Sequence, residues 1–238
     1  LLSGAPFCLT LWYSYTVRAY GVLPDPSWYP NMVGLGYAGV KTWLYYPYAG
    51  LFLMCICVIC CLVLFPVSVV RVLLNKKISA PVCWIQMSAP SITLYTLTLM
   101  AQPDTVTDEA NLDRAKFHEV HQAIYLPVMH FLFVLCLIGV CSSVYGLYSR
   151  WNVITKKAFS PAHAAFCFPT LSHANAVQAY RGAVDAFSTI PPGSPFKIAL
   201  FSYWMLTLIV GTLVLFVLSA MFFYYLPSWA MPEVETAE

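Results

Sequence analysis

The chain has 238 residues, of which 60% are hydrophobic and only 9% charged, and its mean hydropathy is +0.72. A water-soluble domain carries roughly 25% charged residues, so this composition excludes one and points to a membrane. The formal net charge is +2, and no basic run is long enough to engage nucleic acid. The sequence opens at Leu1 with no basic–apolar–small cleavage pattern after it, so its start reads as the inside of a longer chain rather than a signal peptide.

Residues 1–20 read as the tail of a helix that ends near Arg18. Residues 28–45 form a short, glycine-rich span. Five clear spans of about 20 apolar residues, the length that crosses a bilayer, then follow. They are 48–74, 79–102, 123–148, 161–183 and 198–226. The connections are short, which predicts antiparallel hairpins within a single transmembrane domain over 1–238. In hydrocarbon every backbone group must be bonded internally, so the expected fold class is all-α, a polytopic helix bundle.

Loop charges predict the orientation. Arg71, Lys76 and Lys77 follow one span, and Arg150, Lys156 and Lys157 follow another two spans later. The loop between them carries Asp104, Asp108, Glu109 and Asp113 against Arg114 and Lys116. The positive-inside rule puts the basic loops on the cytoplasmic or equivalent side, together with the tail bearing Glu233, Glu235 and Glu238.

The spans differ in kind. Residues 48–74 and 198–226 are apolar nearly all round, as lipid-facing helices are. Residues 28–45 align Asn31, Gly34, Ala38 and Lys41 at helical spacing; 79–102 align Gln86, Ala89, Thr93 and Thr96. Residues 161–183 align Ala165, Phe168, Ser172, Asn175 and Ala179. Each of these three carries a proline, Pro30, Pro90 or Pro169, which frees a carbonyl and kinks the helix. Small residues in membrane helices serve close packing. Three such stripes on alternate spans predict inner helices around a central pathway, with Asn31, Gly34, Ala38, Thr93, Phe168, Ser172 and Asn175 facing one axis.

The run Ala164-Ala165-Phe166-Cys167-Phe168-Pro169-Thr170 is the most informative. It sets a proline in a membrane-grade segment, aromatic rings before it, and small or polar residues after it. With Phe159-Ser160-Pro161-Ala162-His163 ahead of it, the stretch resembles the entry to the ninth helix of the tellurite-resistance/dicarboxylate transporter family. That family includes plant slow-type anion channels and yeast malate and sulfite transporters. Pro26-Ser27-Trp28-Tyr29, leading into Val33-Gly34, is similar to the start of its fifth helix, and Ser88-Ala89-Pro90-Ser91 to the middle of its seventh. The resemblance covers about residues 12–226.

The resemblance implies ten helices in five hairpins, odd helices lining a pore, both ends cytoplasmic, and a homotrimer with one pore per subunit. It implies a phenylalanine that occludes the pore, matched here by Phe168 or, second, by Phe166. It also implies that helices equivalent to the family's first and third lie outside this sequence. The other proposed pore residues are Pro169, Ser172, Asn175, Thr93, Pro90, Gly34, Asn31 and Lys41.

Other features have plainer readings. Gly34-Leu35-Gly36-Tyr37-Ala38-Gly39 matches G-x-G-x-x-G, but neither a strand nor a ribose-binding acid supports a dinucleotide site. His118-Glu119-Val120-His121 is one residue short of the zincin pattern and reads as a solvated helix start, with no metal expected. Cys55, Cys57, Cys60 and Cys61 fall in an apolar helix and read as packing groups. The nine cysteines show no disulfide framework. His130 and His173 lie mid-span and could clamp a b-type haem, but one pair alone favours bonds to neighbouring helices, and no cofactor is expected. Lys41 and Arg181 lie toward helix ends, where they snorkel or, facing a pathway, concentrate anions.

The expected function is therefore a non-enzymatic channel or transporter that passes small anions through a Phe-gated pore in the lipid bilayer. A pore-less structural subunit of a larger membrane complex is the alternative, and a haem-binding subunit the second.

Overall fold

The computed structural model describes residues 26–75, 78–101, 110–154 and 161–230. The described residues are helical, with no strand among them. A 3-10 turn, Pro26–Trp28, leads into α1 (Tyr29–Trp43). Then come α2 (Pro47–Leu74), α3 (Ala80–Ile85), α4 (Ser88–Ala101), α5 (Ala110–Tyr148) and a single turn, α6 (Trp151–Ile154). A second 3-10 turn, Pro161–Phe166, runs straight into α7 (Cys167–Phe187), and α8 spans Pro195–Ala230. Among the described residues, three stretches are long and apolar enough to cross a membrane: Pro47–Leu74, Ile124–Tyr148 and Pro195–Leu226. The tail expected over 1–20, Lys76, Lys77, Lys156, Lys157 and the acidic C-terminus lie outside the described residues.

The expected span 79–102 is not one helix. It divides at Gln86 and Met87 into α3 and α4. Pro90 explains the break: it has no N–H to give the Gln86 carbonyl, four residues back. The loosened carbonyls are taken up from α5, where the Ser143 hydroxyl donates to Cys83 O at 3.2 Å and Trp84 O at 3.5 Å. Close approach makes this possible. A Cβ on Gly139 of α5 would sit 3.2 Å from Met87 Cα. α5 itself starts at Ala110, upstream of the apolar span read from the sequence.

α1, α4 and α7 lie side by side with α4 in the middle, and α2, α5 and α8 pack outside them. α4 is buried along nearly its whole length. The core between the two layers joins Leu35, Met54, Leu94, Leu97, Met129 and Val177. α8 is the least covered, exposed on most of its surface.

Glycines set how closely α1 meets α2. A Cβ on Gly50 would fall 2.5 Å from Trp43 N and 2.8 Å from Gly39 O, both backbone atoms that cannot give way. A Cβ on Gly36 would meet the Thr96 hydroxyl of α4 at 3.0 Å. Gly36 and Gly39 thus belong to a helix-packing face of α1, the use small residues have in membranes.

Arg150 ties the far ends of α2 and α5 together. It is only 5% exposed. Its Nε donates to Ile78 O at 2.7 Å, and Nη1 donates to Gly146 O at 2.9 Å and Ser149 Oγ at 2.8 Å. Nη2 donates to Val72 O at 3.1 Å and Asn75 O at 2.6 Å. All five N–H donors of the guanidinium are thereby used. The Val72, Asn75 and Gly146 carbonyls lie at the C-terminal ends of α2 and α5, where the negative end of the helix dipole favours a cation. The expected loop cation is thus a buried staple.

Three outcomes follow. Arg150→Met should lower stability in detergent by about 3 kcal/mol, because charge-assisted bonds are lost and their carbonyls stay buried. Arg150→Lys should recover only part of it, for want of the fork. Gly50→Ala should cost about 1–3 kcal/mol by forcing α1 and α2 apart. Thermal unfolding of the solubilised protein measures all three, and unchanged midpoints would remove the staple and the glycine contact from the stability account.

Candidate functional site

The inner row is polar where a lipid-facing helix could not be. On α7, Phe168, Asn175 and Gln178 are exposed along one stripe, one to two turns apart. Phe168 is 52% exposed. On α1, Gly34, Tyr37 and Lys41 are exposed at the same helical spacing, and a Cβ added at Gly34 would meet nothing within 4 Å. Ala38 is half-buried beside them. Asn31 sits in the first turn of α1, and its side chain lies outside the described residues.

Other candidates point elsewhere. Thr93 is buried, donates to Ala89 O at 2.9 Å, and meets Cys57 Sγ of α2 at 3.7 Å, on the outer side of α4. Ser172 is buried too, and its hydroxyl donates to Pro169 O at 3.0 Å. Pro90 and Pro169 are buried at the bends they create. Phe166 is half-buried and held by other rings: it meets Trp84 edge-on at 5.7 Å and His163 at 6.1 Å. The two phenylalanines therefore differ. Phe166 is packed, and Phe168 projects onto the open stripe.

Arg181 does not face that stripe. Its guanidinium lies 4.3 Å over the Trp204 ring and 5.3 Å from the Phe201 ring, both on α8. Lys197 and Asp185 pair at 3.0 Å nearby. Lys41 is the cation on the exposed stripe of α1.

Two histidine networks cross the bundle. Ser91 Oγ donates to Met87 O at 2.6 Å, so toward His173 it can only accept. His173 Nδ1–H accordingly donates to Ser91 Oγ at 2.9 Å, and the Tyr203 hydroxyl donates to Nε2 at 2.8 Å. This assignment makes the ring neutral and links α4, α7 and α8 with both nitrogens engaged. His130 bonds the Tyr180 hydroxyl instead, and Tyr180 stacks on Phe133 at 4.4 Å. The two histidines serve separate contacts, which removes the geometric case for a haem clamp. Among the described residues no group of His, Cys, Asp or Glu is arranged to hold a metal ion. The side chains of His118 and His121 lie outside the described residues.

The sequence missed a third polar cluster. Gln86, fully buried at the break between α3 and α4, accepts from the Tyr29 hydroxyl at 3.1 Å and from Ser68. It draws α1, α2 and α3 together. Its position in the expected stripe of 79–102 was the available signal; the direction it points was not legible. The eight described cysteines are free, Cys57 and Cys61 among the buried ones.

A family model for the voltage-dependent anion channel, SLAC1, matches residues 26–224. No curated protein and no solved structure matches the chain.

The histidine geometry sets one expectation. The purified protein should give no Soret band, since His173 would have to break two hydrogen bonds to ligate iron. A Soret peak that disappears in both His130→Ala and His173→Ala would overturn the structural role given to these rings.

Proposed function

The chain belongs to the voltage-dependent anion channel family, whose members carry anions across membranes, and from that membership we propose that Phe168 gates a pathway for small anions along α1 and α7. The family and the long apolar helices make this an integral membrane protein. Members of the family are channels and transporters rather than enzymes. The mechanism is electrodiffusive, with no covalent step.

The observation that carries the proposal is the exposed stripe of α7. In a membrane helix an Asn or Gln turned toward hydrocarbon is costly, whereas one turned toward a water-filled path is not. Phe168 shares that stripe with Asn175 and Gln178, so its ring projects into the path those amides would line. Phe166, held against Trp84, is the weaker candidate. Gly34 leaves room on the exposed stripe of α1, and Lys41 there draws anions toward it. Few fixed charges line the path, which favours weak binding and easy exit. The substrate class is small anions of the dicarboxylate, sulfite, chloride, nitrate or tellurite kind.

The open side of the row is where further pore-lining helices fit, and a homotrimer or a larger membrane complex is the assembly that suits it. The basic ends of α2 and α5 then face the cytoplasm or its equivalent.

Phe168→Ala should raise anion conductance several-fold in oocytes or planar bilayers, and Phe166→Ala, which removes only a ring packed against Trp84, should raise it less. A responsive Phe166→Ala with a silent Phe168→Ala would shift the gate by two residues. Silence in both, with folded protein at the surface, would end the gate reading.

A further inference from the structure

We propose that Trp84 is a positioning residue for the gate, holding the backbone on both sides of Phe168 so that the ring stays across the path. The inference rests on the gate reading of Phe168 and goes beyond it.

Trp84 reaches from α3 to α7 with two contacts. Its indole Nε1–H donates to Thr170 Oγ1 at 2.9 Å. The same ring meets Phe166 edge-on, at 5.7 Å and 62°. Those two partners stand two residues after and two residues before Phe168. The Thr170 hydroxyl in turn donates to Phe166 O at 2.6 Å, which closes a loop through Trp84, Thr170 and Phe166. Phe168 hangs outside the loop, on the exposed stripe.

The segment needs such support. Pro169 denies the Ala165 carbonyl its ladder bond, and the 3-10 turn gives way to α-helix at Cys167. A threonine that bonds back to the carbonyl four residues earlier bends a helix further. The backbone that carries the gate is therefore the softest point of α7. The latch on it is itself anchored, because Ser143 of α5 holds the Cys83 and Trp84 carbonyls. Opening can then follow from rotation of the Phe168 ring alone, or from release of Thr170, which frees the whole turn.

The test compares basal anion currents in oocytes, at matched surface expression, for Trp84→Phe, Thr170→Val and Thr170→Ser, each with and without Phe168→Ala. Trp84→Phe keeps a ring against Phe166 and loses the N–H; Thr170→Val keeps the shape and loses the acceptor. Each should raise basal current about twofold to tenfold, the range set by one hydrogen bond. Thr170→Ser should match wild type. The Trp84→Phe/Thr170→Val pair should exceed neither single variant, and neither should add to Phe168→Ala. Wild-type currents in both single variants, beside a raised current in Phe168→Ala, would overturn the latch and leave the gate standing. Additive effects in the pair, or effects that persist in Phe168→Ala, would overturn it as well. A silent Phe168→Ala would overturn the gate and the latch together.

Discussion

Within a bilayer core no water stands by to bond a stray carbonyl, and each one left unpaired is expensive. This chain creates many of them. Prolines interrupt α2 at Pro66 and α5 at Pro127, and Pro90 and Pro169 sit at the bends of the inner row. The tertiary structure is arranged around the repairs. Ser143 crosses from α5 to the broken end of α3, Thr170 bonds back within α7, and Arg150 gathers the carbonyls where α2 and α5 end. Those of Ser143 and Arg150 are also tethers between helices. The connections that shape the inner row are thus made largely by groups answering a backbone deficit.

The two layers divide the physical tasks. Outer helices are apolar along their membrane-length stretches, which need only fit lipid and one neighbouring face. Inner helices carry hydroxyls, amides and glycines, which pack closely or line a polar path. α4 takes the first role almost entirely: Thr93, Thr96 and Thr98 all return their hydroxyls to carbonyls of their own helix. α1 and α7 split the roles by face: Gly36, Gly39, Ala174 and Ala176 are buried against neighbours, and Lys41, Asn175 and Gln178 are exposed. Dispersion between closely fitted backbones, not exclusion of water, holds such a bundle together. That is why Gly50, which permits contact with Trp43, matters more than a larger apolar residue there would.

Much of this was legible in the sequence, and the limit is physical. Run length and hydropathy are local properties; they matched α2 and α8 closely and α5 at its C-terminal end, but missed its start at Ala110. Prolines marked where the inner helices bend. Direction around a helix is another matter. Thr93 and Phe168 both sat on stripes drawn at helical spacing, yet one points into α2 and the other onto the open face. The break at Gln86 and Met87 shifts the register between α3 and α4, so a stripe drawn through it mixes two faces. Arg150 looked like a loop cation because nothing local reveals that Val72, Ile78 and Asn75 offer it their carbonyls. The glycine run of α1 matched a nucleotide signature by spacing alone; only the neighbours Thr96 and Met54 disclose its use.

The length of α8 has a mechanical consequence. Its 36 residues extend for about 54 Å, against a hydrocarbon thickness of about 30 Å. The stretch Pro195–Leu226 carries a single charge, Lys197 near its start, and is largely uncovered by the rest of the chain. A hydrophobic rod longer than its slab leans, bends or thickens the lipid around it, and its lean varies with the thickness of the bilayer. α8 is fastened to α7 by Tyr203 to His173, Trp204 to Arg181 and Lys197 to Asp185. Any change in its tilt is a torque on the helix that carries Phe168, and the lipid becomes part of the load that helix bears.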